Sequence, residues 1–511
     1  MAMRSVPSMR RRLVALLLPW PLLAAAHGDA PLQRDDVAWL CRDGFGLDSA
    51  LVAGYRQLGR NRLLDAQLTD RVPGRLPPAV AALIAGYPAL RTPPDQLLAQ
   101  WNQAQERIKA MPEGDAKVAA RNDLQKQGNQ LAQQAQQAEL LQAVYGPNQL
   151  KEQMVWFWLN HFSVYAPKGR LRWEVADYEE HAIRPHALGR FRDLVMATLK
   201  SPAMLEYLDN AQNAKGHVNE NYARELMELH TLGVDAGYTQ QDVQQLALIL
   251  TGAGIAPVDG RVERFNPKMA PLVVRDGLFE FNPNRHDFGD KVLLGQAIKG
   301  SGFDEVRQAV DLIVRQPACA RFISRKLAGY FVADQPPPAL VERMARTFQR
   351  SDGDIAKVLR TMFTSKELLA AGAPKFKDPT QFVVSAMRLA YDGRPVANAL
   401  PLVNWLNLLG EPPYGRITPD GWPLDGASWS SSGQMETRFE VARAIGYGSA
   451  QLFTPEGAAQ PSPGFPLLTT RLYYDAVEPY LSAATRAGLA QARSQQEWNA
   501  LLLSSPDFGY R

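Results

Sequence analysis

Cysteine is scarce in this 511-residue chain: there are two, Cys41 and Cys319, and neither belongs to a CxxC pair or a His-Cys ligand pattern. A structural zinc site of the common kind therefore has no support. One Cys41–Cys319 disulfide and two buried free thiols are equally compatible with the spacing. Other signatures are missing too: there is no GxSxG elbow, no P-loop, no HExxH and no dinucleotide fingerprint after a strand. Serine-hydrolase, nucleotide-hydrolase and zinc-peptidase chemistry of standard type lacks its usual residues.

A long apolar run is lacking as well. The stretch from Leu13 to Leu23 is broken by Pro19 and Pro21 and falls short of the roughly 20 residues that span a bilayer. Arg10, Arg11 and Arg12 precede it and Ala24, Ala25 and Ala26 follow, so residues 1–26 read as a secretory signal peptide. The mature chain is then expected in the periplasm or outside the cell, with no transmembrane segment. It also lacks net charge. Four of the 56 lysines and arginines lie in residues 1–26 and no acid does, leaving 52 basic against 52 acidic residues. Nucleic-acid binding driven by bulk charge loses its footing.

What is present is a globular composition, 46% hydrophobic and 21% charged, with helical periodicity along most of the chain. After the leader, residues 27–96 read as an N-terminal helical segment, with a Pro- and Gly-rich surface connection at 71–94. Residues 97–150 read as a Gln-rich helical arm and 151–511 as the main helical domain. Within the arm Leu124, Leu131, Ala138 and Tyr145 recur every seven residues, but Gln127 and Gln134 are polar where a coiled coil wants leucine. This pattern predicts an arm packed along one edge. Alternation in Arg261–Phe265 and Leu278–Phe281 predicts one small β-hairpin. The expected fold is mainly α, a large multi-helical bundle-like domain with that hairpin as its β element.

Charge and apolar surface are sorted most sharply in Asn219–Gly233 (NENYARELMELHTLG). Read as a helix ending at Gly233, it places Tyr222, Leu226 and Leu229 on one side. Asn221, Arg224, Glu225 and Glu228 fall on the other, at spacings of three and four that let them touch. Such a row is either a salt-bridged polar face or a pair of carboxyls for acid–base work or cation binding.

Seven stretches, FWLNHFSVY (157–165), YEEHAIRPHALGRFRDLV (178–195), SPAMLEYLDN (201–210), NENYARELMELHTLGV (219–234), HDFGDKVLLG (286–295), RFISRKLAGYFV (321–332) and PDGWP (419–423), occur in this order. Together they resemble the bacterial domain-of-unknown-function family 1800, over nearly all of the mature chain. The resemblance implies an exported protein whose gene commonly neighbours that of a sulfatase-like protein, from domain-of-unknown-function family 1501. It brings no catalytic role. It points to His161, Asn219, Glu220, Asn221, Arg224, Glu225, Glu228, His286, Asp287 and Lys291 as candidate positions.

Three further groups complete the reading. His286 and Asp287 could hold a divalent metal, with His161 a further candidate and Glu225 or Glu228 supplying a carboxylate; the alternative is a capped turn with a hydrogen-bonded histidine. Trp422 and Trp429, near Asp420 and Asp425, suit a sugar ring or else form the loop's own core. Arg184, with Glu179, His186 and Arg190, suits an anion or ties helices together. Two functions follow as expectations. One is binding or escorting an exported partner, the sulfatase-like neighbour, through a helical polar cleft. The other is a hydrolase acting on a carbohydrate or other envelope polymer, with Glu225, Glu228 and Arg224 at its centre and a metal as its expected cofactor.

Overall fold

The computed structural model describes residues 31–258, 265, 267–370, 375–458 and 464–511. The leader at 1–26 and residues 261–264 of the first expected strand lie outside the described residues. Among the described residues there are 23 α-helices and five short strands, so the protein is mainly α. None of these helices is long and apolar enough to cross a membrane.

Local chemistry sets the helix starts. Asp48, Asn148, Thr239, Asp354, Asp378 and Ser431 each accept a backbone N–H at the first turn, satisfying a donor that the helix itself leaves unpaired. Prolines open Pro202–Tyr207, Pro317–Phe331 and Pro338–Arg350, where the missing N–H costs nothing. The same effect corrects the reading of 71–94. Pro78 and Pro88 start two short helices, Pro78–Gly86 and Pro88–Arg91, inside the expected connection.

The Gln-rich arm consists of Pro94–Ala110 and Asp115–Tyr145. Leu124, Leu131, Ala138 and Tyr145 are all buried, so the seven-residue repeat is its inward face. Gln134 is polar for a local reason: its Oε1 accepts the Ala89 N–H at 3.0 Å, capping the neighbouring short helix. Helix Gln149–His161 runs through the centre of a single apolar cluster that extends from Leu32 to Leu503. Cys41 and Cys319 are both free thiols.

The strands build two small sheets. Strands β1 (Ala253–Ile255), β2 (Val274–Asp276) and β3 (Phe279–Phe281) form an antiparallel sheet in the order β1-β3-β2. Phe279 and Phe281 turn onto Phe303, with ring centroids 5.3 and 5.7 Å away. Strands β4 (Lys291–Leu293) and β5 (Gln296–Ile298) pair through a two-residue turn. Leu294 and Gly295 both take positive φ there, as a right-twisted hairpin requires.

Candidate functional site

Helix Gln149–His161 ends on Asn160 and His161, and Asn160 fixes the PDGWP loop. Its Nδ2 donates to the Trp422 carbonyl at 3.0 Å, and its Oδ1 accepts the Trp422 N–H at 2.5 Å. Gly421 makes this approach feasible. It has φ +79°, and a Cβ there would lie 2.1 Å from the Asn160 carbonyl oxygen. Asp420 is thereby set beside the helix end. Arg416 holds it through Nη2 at 2.9 Å and Nε at 3.2 Å. Burial pushes the Asp420 carboxyl up, but Arg416 and Thr418 outweigh it and keep it below the usual carboxylate range.

The Asn219–Gly233 stretch forms α-helix over Asn221–Glu225 and then π-helix over Leu226–Thr231. The Thr231 hydroxyl donates to the Leu226 carbonyl five residues back, at 2.5 Å. Wider turns of this kind recur at functional sites. Tyr222 and Leu226 are buried as expected, with Ala223 and Met227 beside them, whereas Leu229, expected on that side, is only half-buried, as are Asn221, Arg224, Glu225 and Glu228.

Arg224 does not pair with Glu228. Its Nη2 reaches Glu220 at 3.1 Å and Gln240 at 2.9 Å, and Gln240 in turn donates to Glu220 at 2.7 Å. Asn219 and Asn221 serve the turn: Asn219 Oδ1 accepts the Asn221 N–H, and Asn221 Nδ2 donates to the Leu208 carbonyl. Glu225 and Glu228 are left with no ion pair or side-chain hydrogen bond among the described residues. Burial raises the Glu225 carboxyl, the Glu228 and Asp420 charges add to this, and Arg224 opposes it.

Two histidines sit on the same elements, His161 at the end of helix Gln149–His161 and His230 in the π-helical turn. His161 Nε2 meets the His230 carbonyl at 2.9 Å, so that nitrogen carries the proton. Its Nδ1, and both ring nitrogens of His230, are buried without a hydrogen-bond partner among the described residues. Burial, helped by the nearby Lys326 ammonium, holds His161 well below its usual pKa and takes His230 down to about 3. Both rings are neutral. Lys326, on helix Pro317–Phe331, also lacks an ion pair among the described residues. Burial lowers its amine to about 8, with Asp420 pulling the other way. Sequence reasoning passed over Lys326, set His230 aside because it falls on the side of the helix opposite Asn221, and took Asp420 only as a neighbour of the tryptophans. The signal was available, because each lies inside a stretch that carries the family resemblance.

The remaining candidates are placed elsewhere. His286 is engaged on both sides by acceptors, with Nε2 2.8 Å from Glu305 Oε1 and Nδ1 2.8 Å from the Thr251 carbonyl oxygen. Lys291 Nζ meets the other Glu305 oxygen at 2.7 Å, and Asp287 Oδ1 caps the Gly289 N–H. These partners replace the expected metal bridge from His286 and Asp287 to Glu225 or Glu228. Among the described residues no three His, Cys, Asp or Glu side chains are grouped as a ligand set. Arg184 is buried between Glu152 at 2.7 Å and Glu179 at 2.5 Å, so it ties helices together instead of awaiting an anion. Trp429 is buried with its Nε1 donating to the Pro423 carbonyl. It is the core of its own loop, and Trp422 packs beside it at 6.3 Å under Arg416.

A cavity of about 850 Å³ lies apart from these residues, lined by His181, His186, Arg192, Lys200, Asp276 and Arg307 among others. Its charges are largely self-paired: Lys200 with Asp276 at 2.8 Å and His181 with Asp177 at 2.7 Å. Size favours that cavity; free chemical groups favour the Glu225 row, and we take the row as the candidate site.

The family model described as "Protein of unknown function (DUF1800)" matches residues 38–510, and the chain belongs to that family. No curated protein and no solved structure matches it.

Proposed function

We propose that, in this family member, the Glu225 row and the Asp420 loop form the acid–base site of a hydrolytic enzyme. The observation that carries this is convergence. Asp420 acts on both Glu225 and Lys326, and Lys326 in turn acts on His161 and His230. Four separated stretches thus link two carboxyls and a lysine that have no ion pair among the described residues, a third carboxyl held low by Arg416, and two buried histidines. Carboxyls tuned in opposite directions divide the work: Glu225 keeps its proton longer and donates it to the leaving group, while Asp420 stays ionised and takes a proton from the attacking water. An exported chain would meet carbohydrate or another envelope polymer as substrate. Glu225→Gln and Asp420→Asn should each lower release of new chain ends from purified envelope glycan by about 10²–10⁴-fold. Unchanged release from both variants, with circular dichroism intact, would end this reading.

A second reading rests on surface. Val234 and Ile417 are 67% and 69% exposed, one just past the row and the other just before Asp420. Exposed aliphatic side chains beside a polar group suit a protein interface, and the exported sulfatase-like neighbour is the expected partner. Under this reading the two proteins co-purify, and Val234→Glu with Ile417→Glu separates them. Failure of the native pair to co-purify would count against it.

A further inference from the structure

Lys377 stands out among the buried charges. Its neighbour Lys375 is met by Asp334 and the Leu424 carbonyl. Lys377 is 5% exposed, yet its amine has neither an ion pair nor a hydrogen bond among the described residues. The amine lies 3.7 Å from the Phe508 ring centroid. It cannot withdraw easily, because the backbone is clamped on both sides. The Lys377 N–H donates to the Gly509 carbonyl at 3.0 Å, and the Lys377 carbonyl accepts from Arg438 at 2.7 Å.

A cavity of about 130 Å³ adjoins it, lined by Leu389, Val477, Leu502, Phe508 and the free thiol of Cys41. At ~30 Å³ per liquid water that is room for about four waters, or for an organic molecule of a few carbon atoms. Asp507 also lines the cavity, but its carboxylate is engaged by the Ser482 N–H at 2.7 Å. The groups acting most on the amine are Cys41, Arg511 and Arg438, and the titratable Tyr480 and Tyr510 also line the cavity. Burial first, and then the two arginines, bring the amine down to about 7, with Cys41 opposing. An amine desolvated in an apolar pocket beside other cations is the environment that activates lysine as a nucleophile.

We propose that Lys377 is the nucleophile of a second site, one that takes a small aldehyde or ketone into this cavity as an imine. The uncharged Nζ lone pair adds to the carbonyl carbon, and the carbonyl π electrons move to oxygen. The resulting carbinolamine then loses that oxygen as water, together with both amine hydrogens, and a C=N bond remains. No oxidant or reductant is needed, and the step reverses on hydrolysis. The site is separate from the Glu225 row and does not depend on the function assigned to it.

The test uses the full chain with propanal and sodium cyanoborohydride, read by peptide mass mapping across pH. At pH 7 an ordinary lysine has only about one amine in 10³ uncharged. Lys377 should therefore be alkylated at least about tenfold faster than Lys299, whose side chain is 80% exposed, with half-maximal rate near pH 7. Cys41→Ala should keep this labelling, since a thiol adduct is not reduced to a stable product. Leu389→Phe, which fills the cavity but leaves the amine, should suppress it. Labelling of Lys377 no faster than Lys299, a pH profile like that of the surface amines, or full labelling in Leu389→Phe would each overturn the proposal.

Discussion

Two clusters in this protein use the same kinds of residue to opposite ends. In the first, Glu305 is met on one oxygen by His286 at 2.8 Å, Ser301 N–H at 2.7 Å and Gly302 N–H at 2.9 Å. Lys291 takes the other oxygen at 2.7 Å. In the second, Glu225 and Glu228 stand half-buried with no such partners among the described residues, and the two histidines, each acted on by Lys326, have ring nitrogens that are largely unmet there. A saturated buried cluster turns charge into rigidity, because every member is costly to remove. An unsaturated one retains groups that can still exchange protons or bind. Satisfaction of the polar atoms, more than their identity, separates structure from candidate chemistry here.

The sharpest way to break that contrast is to remove Glu305. Glu305→Ala leaves a buried lysine and histidine without their acid, and should cost about 3–5 kcal/mol in urea unfolding. Glu225→Ala should stay within about 0.5 kcal/mol by the same measurement. Equal costs at the two positions would mean that both clusters are structural.

Acid sharpens the comparison from the other side. The folded pKa of His230 is depressed to about 3, while an unfolded histidine titrates near 6.5. Below ~6.5 the unfolded chain binds the extra proton, so the stability contributed by the neutral ring is complete above that pH and is lost as pH falls towards 3. Between about pH 6.5 and 4.5 this group alone should remove roughly 2–3 kcal/mol, and His161, lowered in the same direction, adds to the slope. Burial pushes Glu305 up, but its donors hold it below the usual carboxylate range. Its contribution is therefore present above the unfolded carboxyl pKa and is lost only as pH falls below that. His230→Leu should flatten the upper part of the pH–stability curve and leave the lower part unchanged. A curve unchanged above about pH 5 would show that His230 does not titrate as its burial requires.

Much of this was legible in the residues, for identifiable reasons. Thr239 and Asp242 stand three residues apart, the spacing of a reciprocal cap, and both bonds form. Asp378-Pro379 has the form of a cap followed by a first-turn proline and opens the helix Pro379–Tyr391, and Gly233 ends the polar row, as expected, at φ +86°. The heptad positions of the arm proved to be its buried side. What escaped was long-range. Nothing local tells Glu305 that it will meet a histidine 19 residues earlier. Nor does spacing bring Asp420 to the row, a step that needs Asn160 to grip a backbone 262 residues away. Angular reasoning also assumed uniform α-helix, whereas the turn at Leu226–Thr231 is wider. Sorting charge onto one face could find the row; it could not say which of its members would be left unpaired.

Arg224 offers the finest discrimination, because it belongs to the row yet behaves as ordinary surface. Its side chain is 40% exposed and Glu220, its partner at 3.1 Å, is 34% exposed. An ion pair this open contributes little once solvent screening is counted. Arg224→Ala should therefore change stability by no more than about 0.5 kcal/mol, with Gln240 still bonded to Glu220. The informative change is in titration. Arg224 is the cation that restrains the rise of Glu225, so its loss should move the Glu225 carboxyl further up, visible in side-chain NMR as a later deprotonation. A large loss of stability with no movement of Glu225 would make the arginine a structural tie and the row a sealed contact, and the distinction between the two clusters would collapse.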